Sequence, residues 1–209
     1  MTNIQSAYNQ WAEQYDSNKN RTRDLEATAL RKSLENFSFR NCLEIGCGTG
    51  KNTVWLEQRV EKMLAVDLSS DMLKKAAMKI QKPHVHFAQA DILKDWQFAG
   101  NEKFDLVVFS LVLEHIENLD RVFEKLALVT SNNALVYIGE LHPFKQYLGT
   151  KARFENENGI QEVTCYIHHL SDFVHSARKH HFTLTDIEEY FDEEDKQGVP
   201  RILRLLFRK

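Results

Sequence analysis

The feature that most constrains the fold is an alternation in the middle of the chain. Short, nearly continuous apolar runs occur at 42–46 (CLEIG), 63–68 (MLAVDL), 85–89 (VHFAQ), 104–109 (FDLVVF) and 134–139 (ALVYIG), with helical spacing between most of them. Runs this uniformly apolar bury both faces, which a strand does in a parallel sheet flanked by helices. Over 70–81, Met72, Leu73, Ala76, Ala77 and Ile80 share one helical face; Ser69 or Ser70 can cap that helix and Pro83 follows its end. Over 117–130, Leu119, Val122, Phe123, Leu126 and Val129 do the same. The predicted fold class is α/β, a mostly parallel sheet with right-handed crossovers.

The two ends read differently. Residues 4–15 carry a helical stripe of Ile4, Ala7, Tyr8, Trp11, Ala12 and Tyr15, and a second helical pattern covers 24–37 after the basic loop 17–23. A long mixed segment fills 142–168, and a helix follows with Ser171 as its N-cap and Phe173, Val174 and Ala177 facing inward. Two strand-like stretches, 182–191 and 201–208, flank the polar turn EDKQG and are expected to pair antiparallel. The 209 residues are expected to form a single domain: a helical cap at 1–40, a binding core at 41–140, a substrate-side insertion at 142–168, and a helix with a hairpin at 169–209.

Composition excludes some classes. Every apolar run is interrupted by charge well before about 20 residues, so no transmembrane span is expected, and the start MTNIQSAYNQ lacks a secretory pattern. A net charge of −3 gives no overall attraction to nucleic acid or a membrane surface. Cys42, Cys47 and Cys165 make an odd count without a CxxC pair, read as free thiols in a reducing cytoplasm. His168, His169, His175, His180 and His181 cluster in sequence but offer no i,i+4 pair within the 171–181 helix, so no metal is expected.

The stretch LEIGCGTGKN, residues 43–52, places three glycines in five positions after the first strand. It is no phosphate-binding P-loop: Asn52 follows Gly50-Lys51 where Ser or Thr is needed, and Gly46 stands one residue too close. It departs from the dinucleotide pattern GxGxxG as well, because Lys51 occupies the third glycine position. The tighter Gly46, Gly48, Gly50 spacing suits a loop around a small zwitterion, whose carboxylate can meet backbone N–H groups and the next helix N-terminus. Glu44 at the strand end can receive an ammonium. Asp67, about 20 residues beyond the glycines, suits paired ribose hydroxyls. Asp91, after the third strand, can accept from an adenine amino group, with Leu68, Met72 and Ile92 against the ring.

Together LEIGCGTG, AVDLSSDML, QADI and FDLVVFSLVLEHI resemble, in order and spacing, the class I S-adenosylmethionine-dependent methyltransferases, over roughly residues 40–140. YNQWAEQYD (8–16) is similar to the N-terminal segment of many small-molecule members, where an aromatic residue often reaches the cofactor; Tyr15 is the candidate. The resemblance implies a Rossmann-like, seven-stranded sheet with helices on both faces, its last strand antiparallel, under an N-terminal helical lid. It implies S-adenosyl-L-methionine as cofactor, lined by Glu44, Gly46, Gly48, Gly50, Asp67, Asp91 and Ser110, with Cys47 in the same loop.

A sulfonium methyl is already electrophilic, so alignment supplies much of the rate, and a base matters only for a protonated acceptor. His115 and His142, each after a strand at the ligand-bearing edge, are the candidate bases. Arg21, Arg23 and Arg153, with Lys19, Lys145 and Lys151, lie in the two segments outside the motifs, and with His142 they are candidates for holding a small, anionic acceptor. Methylation of RNA or protein, a nonenzymatic S-adenosylmethionine-binding module and an NAD-dependent oxidoreductase remain as rival readings. Acceptor, methylated atom and oligomeric state are open at this stage.

Overall fold

The computed structural model describes residues 4–156, 159–192 and 196–209. Its main sheet has seven strands in the order β3-β2-β1-β4-β5-β9-β8. These are β1 (Asn41–Ile45), β2 (Lys62–Asp67), β3 (Val85–Gln89), β4 (Phe104–Ser110), β5 (Thr130–Leu141), β8 (Thr183–Tyr190) and β9 (Ile202–Arg208). The first five pair in parallel, and β9 runs antiparallel between β5 and β8. The expected class is therefore what forms, with the terminal hairpin inserting its second strand first. Part of the connecting EDKQG stretch lies outside the described residues.

Alternation within single strands explains why the sheet needs helices on both sides. In β4, Val107 and Phe109 face one core while Leu106 and Val108 face the other. The first face is covered by α5 (Leu119–Val129) and α7 (Leu170–Lys179), through Val122, Phe123, Leu126, Phe173 and Ala177. The second is covered by α2 (Arg21–Leu34), α3 (Thr53–Leu56) and α4 (Ser70–Lys79), through Leu30, Leu34, Leu56 and Leu73. Burying a Leu or Phe side chain of this kind stabilises by about 1.5–3 kcal/mol each.

Above the carboxyl ends of the strands lies a smaller cluster of Ala7, Trp11, Ala12, Met72 and Val163. It joins α1 (Ile4–Trp11) to the region of the two-stranded sheet of β6 (Arg153–Asn156) and β7 (Gly159–Glu162). The remaining short helix, α6 (Pro143–Tyr147), follows β5.

Several boundaries differ from the sequence reading. The first helix ends at Trp11 and not near 15, and residues 12–17 form turns. The Arg23 guanidinium takes the carbonyls of Tyr15 and Asn18, drawing them out of any helical ladder. The second helix starts at Arg21, because Asn20 accepts the Arg23 N–H at 3.0 Å as its N-cap. Ser171 is not the cap of α7: that helix begins at Leu170, and Asp172 Oδ2 accepts the His169 N–H at 2.8 Å. Ser69 does cap α4, its Oγ accepting from Met72 N at 3.1 Å.

Candidate active site

A cavity opens at the carboxyl edge of the sheet, lined from β1, β2 and β4 by Ile45, Gly46, Val66, Asp67 and Ser110. Two sharp backbone features shape its floor. Gly46 has φ +73°, and a Cβ there would lie 2.2 Å from Val112 Cγ2, so only glycine admits that close approach. Leu111, directly after β4, also has positive φ (56°) and lines the cavity. A leucine in the left-handed region is strained, and such strain concentrates at functional sites.

Asp67 holds the loop. Its Oδ2 accepts the Gly48 N–H and its Oδ1 accepts the Ser69 N–H, each at 2.8 Å. Burial raises its pKa above the ordinary carboxylate value, against the pull of those backbone donors. Each oxygen keeps capacity for another donor, so the carboxylate can serve the loop and a diol together. Asp91 lines the far side, with Oδ1 accepting the Leu93 N–H at 3.0 Å. Leu68, Met72 and Ile92 supply apolar walls between the two acids.

The roof comes from the other end of the chain. Tyr8 and Tyr15 line the cavity, and Trp11 packs between them with ring centroids 5.6 and 5.0 Å away. The Arg23 guanidinium lies 4.7 Å from the Tyr15 ring centroid. Asp16 fastens this segment to the floor, accepting from Thr49 Oγ1 at 2.6 Å and pairing with Lys79.

Where roof meets floor, Tyr8 Oη lies 2.7 Å from His115 Nε2, and His115 Nδ1 lies 2.8 Å from the Thr164 carbonyl. A carbonyl only accepts, so Nδ1 carries the proton and Nε2 presents its lone pair to the Tyr8 hydroxyl. Burial raises the Tyr8 phenol well above its ordinary range. Glu114, His115 and Cys165 offer ligand atoms within 4.8 Å of one another. Both His115 nitrogens are engaged by Tyr8 and Thr164, while Glu114 Oε2 is buried without a hydrogen-bond partner among the described residues.

Of the residues singled out from sequence, Tyr15, Gly46, Gly48, Asp67, Leu68, Met72, Asp91, Ile92, Ser110 and His115 line the cavity. Others do not. Glu44 is 2% exposed and its Oε2 accepts from Thr53 Oγ1 at 2.6 Å, beneath the loop; burial raises it to about 8. Cys47 packs into the core on the α2 side. Gly50 faces α4, where a Cβ would meet Ile80 Cδ1 at 2.9 Å, so this glycine serves helix packing.

The acceptor-side candidates also lie elsewhere. His142 caps α6 by accepting the Phe144 N–H at Nδ1, and its Nε2 donates to Glu189 at 2.9 Å. With both nitrogens committed it offers no base to the cavity. Arg23 is buried under the Tyr15 turn, and Arg21 and Arg153 are exposed away from the lining. Lys145 pairs with Asp192 and Lys151 with Glu162.

Tyr8, Ile4 and Glu26 went unassigned in the sequence. Tyr8 sat in the aromatic stripe, indistinguishable there from a core residue. Nothing marked Glu26, whose partner Ser110 is 84 residues away.

Residues 43–138 match the model of the methyltransferase domain family. The chain is 29% identical over 116 residues to an uncharacterized methyltransferase of Mycobacterium bovis, covering 55% of this chain and 58% of the relative. It is 23% identical over 153 residues to an uncharacterized protein of Haemophilus influenzae, covering 71% of this chain and 60% of that one. The chain thus spans about 60% of the length of these curated relatives. Among solved structures, the DhpI complex with SAH superposes with a TM-score of 0.77 at 20% identity, covering 98% of this chain and 94% of that one. The N-methyltransferase NodS of Bradyrhizobium japonicum in complex with S-adenosyl-L-homocysteine superposes with 0.70 at 20% identity, covering 97% and 98%. Residues 43–138 thus match a methyltransferase domain, and the fold is the one shared by these solved S-adenosylmethionine-dependent methyltransferase structures.

Proposed function

We propose that this protein transfers the methyl group of S-adenosyl-L-methionine to a small-molecule acceptor. The observation that carries this reading is the cavity floor, where the Gly46–Gly48 loop and the Asp67 carboxylate, locked together by a hydrogen bond, meet the apolar slot of Leu68, Met72 and Ile92. A diol fits the free capacity of Asp67, a purine fits the slot, and Asp91 stands at its end to receive an exocyclic amine. Gly48, whose Cβ position is open toward Tyr15 at 3.9 Å, leaves room for the ligand's close approach. The solved relatives whose names include SAH or SAM support the same cofactor.

When bound, S-adenosylmethionine supplies an electrophilic methyl on a cationic sulfonium. The chain's own residues must align the acceptor and, where the acceptor is protonated, receive its proton. Tyr8 and His115 are suited to that task. An acceptor X–H can donate to the Tyr8 oxygen while the Tyr8 proton passes to His115 Nε2, leaving an imidazolium whose Nδ1–H remains on Thr164. Such general-base help accounts for about 10²- to 10⁴-fold in rate. We assign no role in acceptor binding to Arg21, Arg23, Arg153 or His142, since none of them lines the cavity, and Lys145 and Lys151 are ion-paired.

Calorimetry with S-adenosylhomocysteine, followed by incubation with methyl-labelled S-adenosylmethionine and fractionated cell extract, tests the proposal. Binding, with label entering the small-molecule fraction, is the expected result. Label entering RNA or protein would change the acceptor class. Uptake of a nicotinamide nucleotide with no response to S-adenosylhomocysteine would overturn the reading.

A further inference from the structure

Behind Ser110 lies a polar cluster that the floor of the cavity does not need for its own shape. Glu26 of α2 is 1% exposed. Its Oε1 accepts from Ser110 Oγ at 2.8 Å and from Tyr137 Oη at 3.0 Å, and its Oε2 accepts from Asn52 Nδ2 at 3.0 Å. Asn52 Nδ2 also lies 3.2 Å from Ser110 Oγ, while Asn52 Oδ1 is buried with no hydrogen-bond donor. Gly139 makes the space, because a Cβ there would stand 2.6 Å from Glu26 Oε1.

The cluster is rich in acceptors and lacks a cation. One carboxyl, two hydroxyls and one orphaned amide oxygen converge, and no basic side chain hydrogen-bonds to any of them among the described residues. Lys51, whose charge lowers Glu26, pairs with Asp24. An uncompensated carboxylate in such a place is costly, and burial accordingly raises Glu26 to about 7. An arriving ammonium would satisfy the orphaned oxygen and compensate the acid at once. Ser110 is the member that lines the cavity, next to Gly46 and Gly48. Because its hydroxyl proton goes to Glu26, its oxygen is left to accept.

Resting on the cofactor reading above, we propose that Glu26 is the counter-charge for the ammonium of the cofactor's amino-acid end, acting through Ser110 and Asn52 as a positioning residue. Sequence spacing gives that part to Glu44, which is instead covered and held by Thr53. Glu26 thereby ties α2, outside the matched domain at 43–138, to cofactor selection.

The test compares two ligands that share the adenosyl thioether: S-adenosylhomocysteine, and 5′-methylthioadenosine, which has no amino-acid end. Calorimetry on wild type should show clear preference for the first. Glu26→Gln keeps shape and should weaken S-adenosylhomocysteine about 10- to 100-fold, the range for removing a charged hydrogen-bond partner, while leaving methylthioadenosine within about twofold. Ser110→Ala should show the same selective loss, which keeps the question open to measurement should the glutamine variant fold poorly. Equal losses for both ligands would mark Glu26 as merely structural, and no loss for either would remove it from the site; each overturns the proposal. If wild type binds neither ligand, the cofactor reading itself fails and takes this one with it.

Discussion

The floor of the cavity and its roof reach the same ligand space by different means. The floor is backbone: Gly46 turning against Val112, Gly48 bonded to Asp67, and Leu111 held at positive φ. The roof is side chains from distant segments: Tyr8 on His115, Asp16 on Thr49 and Lys79, and Trp11 packed with Val163 over Met72. A backbone floor fixes one ligand shape closely, whereas a side-chain roof can be rebuilt without touching it. Under the proposed function, that division separates residues that should govern turnover from those that should govern binding.

The largest expected effect lies at the seam. His115→Ala should lower kcat by about 10²- to 10⁴-fold for a protonated acceptor, while S-adenosylhomocysteine affinity stays within a few-fold. Tyr8→Phe should act in the same direction, since it removes the hydroxyl that joins acceptor to imidazole. Calorimetry and single-turnover rates check both. An equal loss in affinity would assign His115 to the floor. Asp67→Ala should do the reverse, weakening S-adenosylhomocysteine about 100-fold through two lost ribose hydrogen bonds to a charged acceptor. Asp67→Asn should fall between, because its amide nitrogen cannot accept the Gly48 or Ser69 N–H.

The same division explains what the sequence revealed. Strand runs and glycine spacing are local signals, and the contact from Gly48 to Asp67 spans only 19 residues. Tyr8 and His115 are 107 residues apart, and no periodicity announces their meeting. Local pattern also misled. Glu44 occupies the position of an ammonium ligand, but Thr53, nine residues on, takes its carboxyl. His142 follows a strand at the ligand edge, yet Pro143 starts a helix there and the imidazole becomes its cap. Lys145, a candidate for holding an anionic acceptor, is instead paired with Asp192, 47 residues along the chain.

Floor and roof should also differ in response to pH. Glu26 and Glu44, buried under the floor, are raised to about 7 and about 8 from 4.5. The folded protein therefore holds protons that the unfolded chain releases above 4.5, so their contribution favours folding most at low pH and declines as pH rises to about 8. Asp16 in the roof behaves oppositely. Although partial burial raises it, the bonds from Lys79 and Thr49 win and hold it below 3.8. Its tie is present above that value and is lost as pH falls through the lowered one. Thermal unfolding of the ligand-free protein should show Tm falling by a few degrees between pH 5 and 8, and Glu44→Gln should flatten that slope. Proteolysis within residues 12–20 should instead accelerate at acid pH. A common direction for both readouts would mean that roof and floor open as one unit.

The smallest effect should come from Arg153→Ala, and its smallness is informative. Arg153 is exposed on β6, opposite Glu162 in register, and does not line the cavity. An exposed surface charge of this kind contributes about 0–1 kcal/mol to stability, and its field at the cavity is screened over a Debye length of about 8 Å at physiological salt. The substitution should therefore leave S-adenosylhomocysteine affinity, Tm and the ranking of acceptors all within about twofold of wild type. If instead it selectively abolished transfer to anionic acceptors, the β6–β7 hairpin would have to swing over the cavity during turnover, and Val163, which follows β7 and packs on Trp11, would be the contact that breaks to allow it.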